Sequence, residues 1–396
     1  MQLEFTEQQT QLKAELRQYF EDFMTEELKA ELFDPSRREG GGPRWREGLR
    51  KLGRDGWIGL GWPKAFGGQQ RSAIDQYIFT EEVQRAGFPY PFLTTESVGP
   101  TIARFASEEM KVDIIPRILA GEVNICIGYS EPGAGTDLAS LKTRAERDGD
   151  EYVINGQKIF TSLAESSDYV WLAARTDNHP DTPKHKGISM FLIPFDTPGI
   201  SFTPIYTLGG VRTNTTYYEN VRIPVSMRVG EENTGWKMIT SQLNRERLAL
   251  VTHGALCKLF TSVCQWCRDT HLPNGERVID QAWVQSRLAQ VQVHAEALKL
   301  LCYKQAWAID QDNLNMADAS AAKVYGSEMF IEAYRALMEV IGEGSLLSRA
   351  SQKAVLDGHL EQMYRVASVL TFGGGTNEIQ RDIISAAGLM IPRASR

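Results

Sequence analysis

Glu246 is an acidic side chain on a predicted helix whose neighbours make it one candidate for proton transfer. It lies in Asn244-Arg-Glu-Arg-Leu248, within a stretch of helical period. Three other residues share its helical face by i, i+3 and i+7 spacing: Leu243, Leu250 and His253. Partial desolvation among leucines would raise the carboxyl pKa toward that of a general base, whereas the flanking arginines would lower it. Two interpretations stay open: a catalytic base, or a glutamate that only pairs with an arginine on a solvated face.

A loop rich in glycine and hydroxyl groups follows an apolar run that predicts a strand, Val123 to Ile127. It reads Ile127-Gly-Tyr-Ser-Glu-Pro-Gly-Ala-Gly-Thr-Asp137. Proline and glycines force an open turn, and Ser130 and Thr136 place hydroxyls on either side of it. Such a loop can present donors to the polar edge of a cofactor, although a plain surface turn has the same composition.

Composition limits the classes of function. Net charge is −7, from 43 Lys and Arg against 50 Asp and Glu, which argues against nucleic-acid binding. No apolar run is long enough to span a bilayer, and the first 30 residues lack a signal-peptide core, so we expect a cytoplasmic protein. The histidines show no metal spacing, and Cys264-Gln-Trp-Cys267 predicts two reduced cysteines on a helix. No complete GxGxxG motif opens a βαβ unit, which disfavours a dinucleotide-binding fold for NAD.

The periodicity predicts helices, then strands, then helices. An α+β fold follows, with an N-terminal helical domain (1–122), a central antiparallel β domain (123–232) and a C-terminal helical bundle (233–396). Asn155-Gly156 predicts the turn of a hairpin within residues 151–160. Predicted helices include one from Thr6 to about Leu32, one long helix from Trp236 to about Arg268, and one over residues 350–370.

Together with Phe372-Gly-Gly-Gly-Thr-Asn-Glu-Ile-Gln-Arg381, these segments resemble the acyl-CoA dehydrogenase family over nearly the whole chain. These flavoenzymes oxidise the α,β bond of acyl-CoA thioesters. The similarity is greatest to the actinobacterial branch that acts on steroid-CoA thioesters. It implies the same three-domain plan, a bound FAD, and an electron acceptor like the electron-transfer flavoprotein.

The resemblance assigns residues to FAD: Tyr129, Ser130, Gly135, Thr136, Phe160, Ser162, Thr376 and Glu378. Phe160 matches an aromatic position against the isoalloxazine, and Ser162 matches a hydroxyl near its polar edge. For each hydroxyl taken alone, a turn or cap role is the commoner one. The ordered set favours FAD.

The family places its catalytic glutamate in one of two positions. At the first, before the terminal helix, this chain has Gly374; at the second, on the long helix, it has Glu246. The resemblance therefore implies that Glu246 is the base, with the backbone N–H of Gly374 meeting the thioester oxygen. It also assigns substrate contacts to Thr136, Arg247, Gly373 and Gly374. The glycines leave space, so we expect a bulky or branched acyl group.

Two family stretches that reach a neighbouring subunit's FAD are altered. Arg268-Asp-Thr-His-Leu-Pro-Asn-Gly275 lacks the expected Phe-Gly, and Glu339-Val-Ile-Gly-Glu-Gly344 is acidic where an amide and a glycine are expected. We therefore expect a heterotetramer with a related subunit, with a homotetramer as the alternative. An acyl-CoA oxidase and a non-catalytic structural subunit remain open as alternative functions.

Overall fold

The structure is a computed structural model that describes residues 4–34 and 40–392; the side chains of residues 244–250 lie outside the description. The N-terminal part is helical: α1 (Glu7–Phe23), α2 (Glu26–Leu32), α3 (Pro43–Arg54), α4 (Ala73–Ala86), a π-helix (Leu93–Val98), α5 (Gly99–Phe105) and α6 (Glu108–Leu119).

Hydroxyl side chains start several of these helices. Thr6 and Gln9 form a capping box at α1, and Ser72 caps α4. The single helix predicted to Leu32 is wrong, because Thr25 caps a second helix and accepts a hydrogen bond from the Leu28 N–H. The buried face of α1 packs against α4 in the N-terminal core.

The central part is an eight-stranded sheet: β1 (Ile125–Gly128), β2 (Arg144–Asp148), β3 (Glu151–Lys158), β4 (Tyr169–Arg175), β5 (Ile188–Pro194), β6 (Ile200–Tyr206), β7 (Arg212–Pro224) and β8 (Arg228–Val229). Its order is β6-β7-β3-β2-β4-β5-β8, and β1 also pairs with β4. Most neighbours are antiparallel, as predicted, whereas β1–β4 and β2–β4 are parallel. The parallel pair places the end of β1, and hence the loop after it, beside Leu172 in the sheet.

The hairpin turn predicted at Asn155-Gly156 is wrong. Both residues lie inside β3, where the register to β7 shifts between Ile154 and Gly156. A Cβ on Gly156 would lie 2.4 Å from the Thr143 hydroxyl, so glycine serves close packing here and not a turn. The turn lies earlier, between β2 and β3, at Gly149 with φ +62°.

The C-terminal part is helical again: α7 (Gly235–Leu250), α8 (Gly254–Asp269), α9 (Ala282–Asp310), α10 (Met316–Ile341), α11 (His359–Ala367) and α12 (Asn377–Ile383). The predicted helix over 350–370 is shorter, because Gly358 with φ +67° precedes α11. The long helix predicted from Trp236 is interrupted at residues 251–253, where the backbone leaves helical geometry. The order of helices, strands and helices is confirmed.

Three hydrophobic cores lie in the N-terminal helices with one face of the sheet, inside the β domain, and in the C-terminal bundle. α7 contributes Met238 and Ile239 to the first core, while Val251 beyond its end belongs to the bundle core. This helix therefore connects the two helical parts beside the sheet. No helix within residues 4–34 and 40–392 is long and apolar enough to cross a membrane.

Cys264 and Cys267 are buried on α8 as free thiols, as the sequence predicts. Burial raises the pKa of the Cys267 thiol to about 11, which keeps it protonated at neutral pH. The described residues contain no His, Cys, Asp and Glu cluster that could hold a metal.

Candidate functional site

The loop after β1 is an open turn held at both ends. Glu131 and Ala134 exchange two backbone hydrogen bonds, which close the turn. Ser130 is half-buried, and its carbonyl accepts a bond of 2.8 Å from the Ile159 N–H beyond β3. Thr136 is exposed, and nothing lies within 4 Å of a Cβ built on Gly135. The loop thus offers hydroxyl and backbone groups to an open space.

A buried ion pair supports this loop from below. The fully buried Lys158 ammonium donates to the Tyr129 carbonyl at 3.0 Å and to Glu131 Oε1 at 2.8 Å. Glu131 also accepts the backbone N–H groups of Lys142 and Thr143, at 2.6 and 2.8 Å. These four bonds join β3, the loop and the segment leading to β2, and so fix the course of the loop.

Phe160 and Ser162 lie next to that loop, just after β3. The Phe160 ring is 62% exposed, and its backbone has φ +60°, which is uncommon for a large side chain. Ser162 shares a hydrogen bond of 3.1 Å with Thr213 on β7. A strained residue that presents an aromatic ring to the outside is typical of a ligand site.

Gln242 on α7 connects the loop, the sheet and the N-terminal helices. Its amide oxygen accepts hydrogen bonds from the Tyr129 hydroxyl and, at 2.9 Å, from the Trp171 indole N–H. Its amide nitrogen donates to the Ser97 hydroxyl at 2.9 Å. Gln242 is 1% exposed, so these bonds are made away from water. They fix α7 against the strand that precedes Ser130.

Ser97 belongs to a π-helical turn, which also reaches β1. The Thr94 hydroxyl accepts a bond of 2.8 Å from the Ile125 N–H and lies 3.0 Å from the Asn124 amide oxygen. Thr95 and Glu96 of the same turn border a cavity. π-helical turns are rare and often occur at functional sites, since they redirect side chains within a helix.

The predicted C-terminal residues are held by α10. The buried Lys323 ammonium donates to the Gly375 carbonyl at 2.8 Å and to the Asn377 side chain at 2.7 Å. Thr376 caps α12 by accepting from the Ile379 N–H. Gly374 has φ +68° and Gly375 has φ +95°, a conformation that favours glycine. The loop therefore follows a course that most residues could not adopt.

Glu378 is exposed in the first turn of α12. Hydrogen bonds from its own backbone N–H and from Thr376 lower the pKa of its carboxyl, so it is ionised at neutral pH. Gly373 precedes this loop, and its N–H donates to the Val369 carbonyl at 2.7 Å. The predicted residues thus form two groups, one around the β1 loop and one around the start of α12.

Glu246 and Arg247 lie on α7, but their side chains are outside the described residues. The helix itself places them. Glu246 follows Gln242 by one helical turn, a rise of roughly 6 Å. His253, the third predicted neighbour on this face, lies beyond the interruption at the N-cap position of α8, so helical spacing no longer aligns it with Glu246. It is buried against α4, as a structural histidine with satisfied hydrogen bonds.

A cavity of about 480 Å³ lies beside the π-helix, between α4, α5 and α9. Its apolar wall is formed by Trp62, Pro63, Phe66, Tyr77, Ala306 and Ile309. Its polar wall includes Glu96, which accepts a bond of 2.8 Å from the Gln76 amide, and Arg71, which pairs with Asp75 at 2.9 Å. A mainly apolar cavity of this size suits a large apolar ligand group.

The charged residues of the two altered stretches lie at the surface, whereas Val340 and Ile341 are buried. Arg268 is exposed at the end of α8, and a tight turn with Gly275 at φ +86° follows it. Glu339 pairs with Arg287 at 3.0 Å, whereas Glu343 is exposed. The ion pair compensates the charge of one of the two acidic side chains that stand where the family has an amide and a glycine.

Sequence reasoning missed Gln242, the Lys158–Glu131 pair and the cavity. A buried lysine gives no signal in a sequence, because Lys158 alternates with its neighbours like any strand residue. Gln242 had one usable signal: it is a polar residue between the apolar Ile239 and Leu243 on the inner face of a helix.

Known proteins resemble the whole chain. Three family models match in order: the acyl-CoA dehydrogenase N-terminal domain over residues 6–122, the middle domain over 126–221 and the C-terminal domain over 233–389. The acyl-CoA dehydrogenase FadE26 of Mycobacterium tuberculosis is 50% identical over 400 residues, covering 100% of both chains.

Two solved structures are similar throughout. The ChsE4-ChsE5 complex of Mycobacterium tuberculosis matches with 50% identity, a TM-score of 0.93 and full coverage of both chains. A structure described as the Tcur3481-Tcur3483 steroid ACAD matches with 47% identity, a TM-score of 0.92 and full coverage of both. With the three domains matched in order over these residues, the chain belongs to the acyl-CoA dehydrogenase family of oxidoreductases.

Proposed function

We propose that this chain uses FAD to oxidise the α,β bond of a bulky acyl-CoA thioester, with Glu246 as the base. One observation carries the proposal. Gln242 bonds to Tyr129, next to Ser130 of the predicted cofactor loop, and lies one helical turn before Glu246. Gln242 therefore connects the helix that carries the candidate base to the candidate cofactor loop.

The donor set suits a flavin. An open turn with exposed Thr136 and half-buried Ser130 offers hydroxyls, Gly135 leaves room for close approach, and Phe160 presents an aromatic ring. These residues would hold the ring system, with Ser162 near its polar edge. When bound, the flavin supplies an acceptor for the hydride that leaves the β carbon. Thr376 and Glu378 would contact it from the start of α12.

The chain's own chemistry is proton transfer and charge stabilisation. Glu246, as a carboxylate, takes the proton from the carbon α to the thioester. Negative charge then grows on the thioester oxygen, where the Gly374 N–H would donate a hydrogen bond. Because Gly374 has no side chain and a left-handed backbone, it lets the loop approach the thioester closely. Arg247 and Thr136 would contact the same substrate.

The bulky acyl group is supported by the cavity and by the relatives. Thr95 and Glu96 of the π-helix border the cavity, and the same helix bonds to Gln242 through Ser97. A thioester beside Glu246 could thus extend its acyl end into the cavity. One similar structure is itself described as a steroid ACAD, which favours a steroid side-chain thioester.

A related subunit is proposed as the partner. The similar ChsE4-ChsE5 structure is a complex of two named proteins, and the stretch 268–275 lacks the Phe-Gly expected of a chain that completes a neighbour's site. An acceptor like the electron-transfer flavoprotein would reoxidise the enzyme. The proposed domain boundaries are those predicted from the sequence, near residues 122 and 232.

A visible spectrum tests this function. The protein, expressed alone and together with a related dehydrogenase, is expected to carry a flavin band that bleaches when a steroid-CoA thioester is added without oxygen. A matched titration with a short linear acyl-CoA is expected to bleach the band less. Absence of a flavin band in both preparations would refute the cofactor. Rapid peroxide formation in air would favour the oxidase, and full flavin occupancy and turnover from this chain alone would refute the heteromer.

A further inference from the structure

The junction between α7 and α8 is a buried attachment to α4. Residues 251–253 are at most 4% exposed. The Thr252 hydroxyl donates to the Gln84 side chain. A Cβ on Gly254 would lie only 2.2 Å from the Glu81 carbonyl, so the two backbones touch. The junction therefore has no room to shift relative to α4.

His253 is bonded at both ring nitrogens. Its Nε2 lies 2.9 Å from Glu81, and its Nδ1 lies 3.2 Å from the Tyr77 hydroxyl. Lys13 adds a third contact, at 2.9 Å from Glu81. Tyr77 and Glu81 lie four residues apart on α4 and so share one face of it. Tyr77, Glu81, Gln84, Thr252 and His253 are called the α4 clamp below.

Charge strengthens the clamp. Burial by itself would lower the pKa of His253, but hydrogen bonds with Cys257 and Glu81 raise it to about 9. Burial would likewise raise the pKa of Glu81, whereas His253 and Lys13 lower it to about 2. Histidine and glutamate are thus oppositely charged at neutral pH, in a site almost without water.

The clamp also faces the acyl cavity. Tyr77 lines the cavity while its hydroxyl bonds to His253. Cys302 lines the same cavity, and its thiol donates to the Val251 carbonyl at 3.5 Å. Tyr77 and Cys302 therefore contact the cavity on one side and the junction between α7 and α8 on the other.

We propose that Tyr77 is a positioning residue, which through the α4 clamp fixes the end of the helix that carries Glu246 against the wall of the acyl cavity. Glu246 lies between two attachments, four residues after Gln242 and seven before His253. The hydrogen bonds of Gln242 fix α7 beside the cofactor loop, and the α4 clamp fixes the end of α7 beside the cavity. A bulky acyl group that fills the cavity packs against the same tyrosine that holds the junction. This inference rests on the proposed function, because it needs Glu246 to be the base.

Tyr77→Phe tests the proposal, since it removes one hydroxyl and keeps the ring that lines the cavity. We expect kcat for a bulky acyl-CoA to fall about tenfold, below the ~100-fold that a 1 Å misplacement can cost. KM should change less than twofold, and flavin absorbance should be unchanged. Thr252→Val, which breaks the bond to Gln84 without changing size, should act in the same direction.

Tyr303→Phe is the matched control. Tyr303 is buried and packs on Tyr77 with ring centroids 5.6 Å apart, but its hydroxyl has no hydrogen-bond partner among the described residues. We expect wild-type kcat from this variant. If Tyr77→Phe keeps wild-type kcat, or loses no more than Tyr303→Phe, the clamp does not position the base. Retained turnover in Glu246→Gln would instead refute the proposed function, so the two failures are distinguishable.

Discussion

Lys158→Met is the substitution whose effect follows most directly from the structure. It removes a fully buried ammonium beneath the cofactor loop and replaces it with an apolar chain of similar length. Glu131, only 8% exposed, then keeps two backbone donors but loses its counter-charge. Breaking a buried pair from one side costs about 3–5 kcal/mol of unfolding free energy. We expect a loss in this range and weaker flavin binding.

The same geometry predicts a partial rescue. Burial lowers the pKa of Lys158 to about 8 although Glu131 opposes this, so the pair only partly offsets the cost of burying the charge. In Lys158→Met/Glu131→Gln, the amide oxygen replaces only one of the two carboxylate oxygens, so either the Lys142 or the Thr143 N–H loses its acceptor, but no charge of the pair remains buried. We expect the loss to fall to about 1–2 kcal/mol, the scale of one or two unmade hydrogen bonds.

Urea unfolding followed by circular dichroism measures the free energy of unfolding of both variants, and the urea midpoints are compared at the same m-value. A double-mutant cycle then gives the coupling between the two side chains. The reasoning would be refuted if Lys158→Met cost less than about 1 kcal/mol, or if the double variant were no more stable than the single one. Lys184→Met, on an exposed ion pair with Asp137, is a suitable control and should change little.

Three further predictions concern the scaffold. Gln242→Leu removes the amide oxygen that accepts from the Tyr129 hydroxyl and from the Trp171 N–H, although the Trp171 N–H keeps its bond to the Tyr129 oxygen; it should cost about 1–3 kcal/mol in urea unfolding and weaken flavin retention. Gly156→Ala should cost roughly 1–3 kcal/mol, because its Cβ would meet the Thr143 side chain and backbone, and an unchanged thermal midpoint would contradict this. The raised pKa of His253 adds about 3 kcal/mol to the free energy of unfolding; this stabilisation is fully present below pH 6.5 and is lost as pH rises through about 9. The lowered pKa of Glu81 reflects the same ion pair, whose stabilisation is also lost when pH falls below 4.5 toward about 2. The difference in unfolding free energy between wild type and His253→Gln should therefore shrink between pH 6.5 and 9, and a constant difference would exclude the charged pair.

The sequence was sufficient for the order of helices and strands, because long periodic segments such as Met316–Ile341 and Ala73–Ala86 carry a strong local signal. It was insufficient where tertiary contact overrides a local rule. Asn155-Gly156 is a strong turn signal, yet the strand continues through it because its neighbours pair with β7. Helical periodicity likewise continued through residues 251–253, where bonds to α4 redirect the chain.

The candidate site was predictable to the extent that motifs could be matched. The loop around Ser130 was singled out from its residue types, and the glycines before α12 were singled out by the family resemblance. Their supports were not, because Lys158, Lys323 and Gln242 act through partners far away in the chain. A buried polar contact depends on which distant groups meet, and a single sequence does not contain that information.

Glu246→Gln tests the central claim most directly. The amide keeps the size of the side chain and cannot take a proton. With the flavin band and circular dichroism unchanged, we expect turnover of a steroid-CoA thioester in a dye-reduction assay to fall by about two to four orders of magnitude. Gln265→Glu, a change of similar size on exposed α8, serves as the control and should retain activity. Wild-type turnover from Glu246→Gln would contradict the assignment of the base.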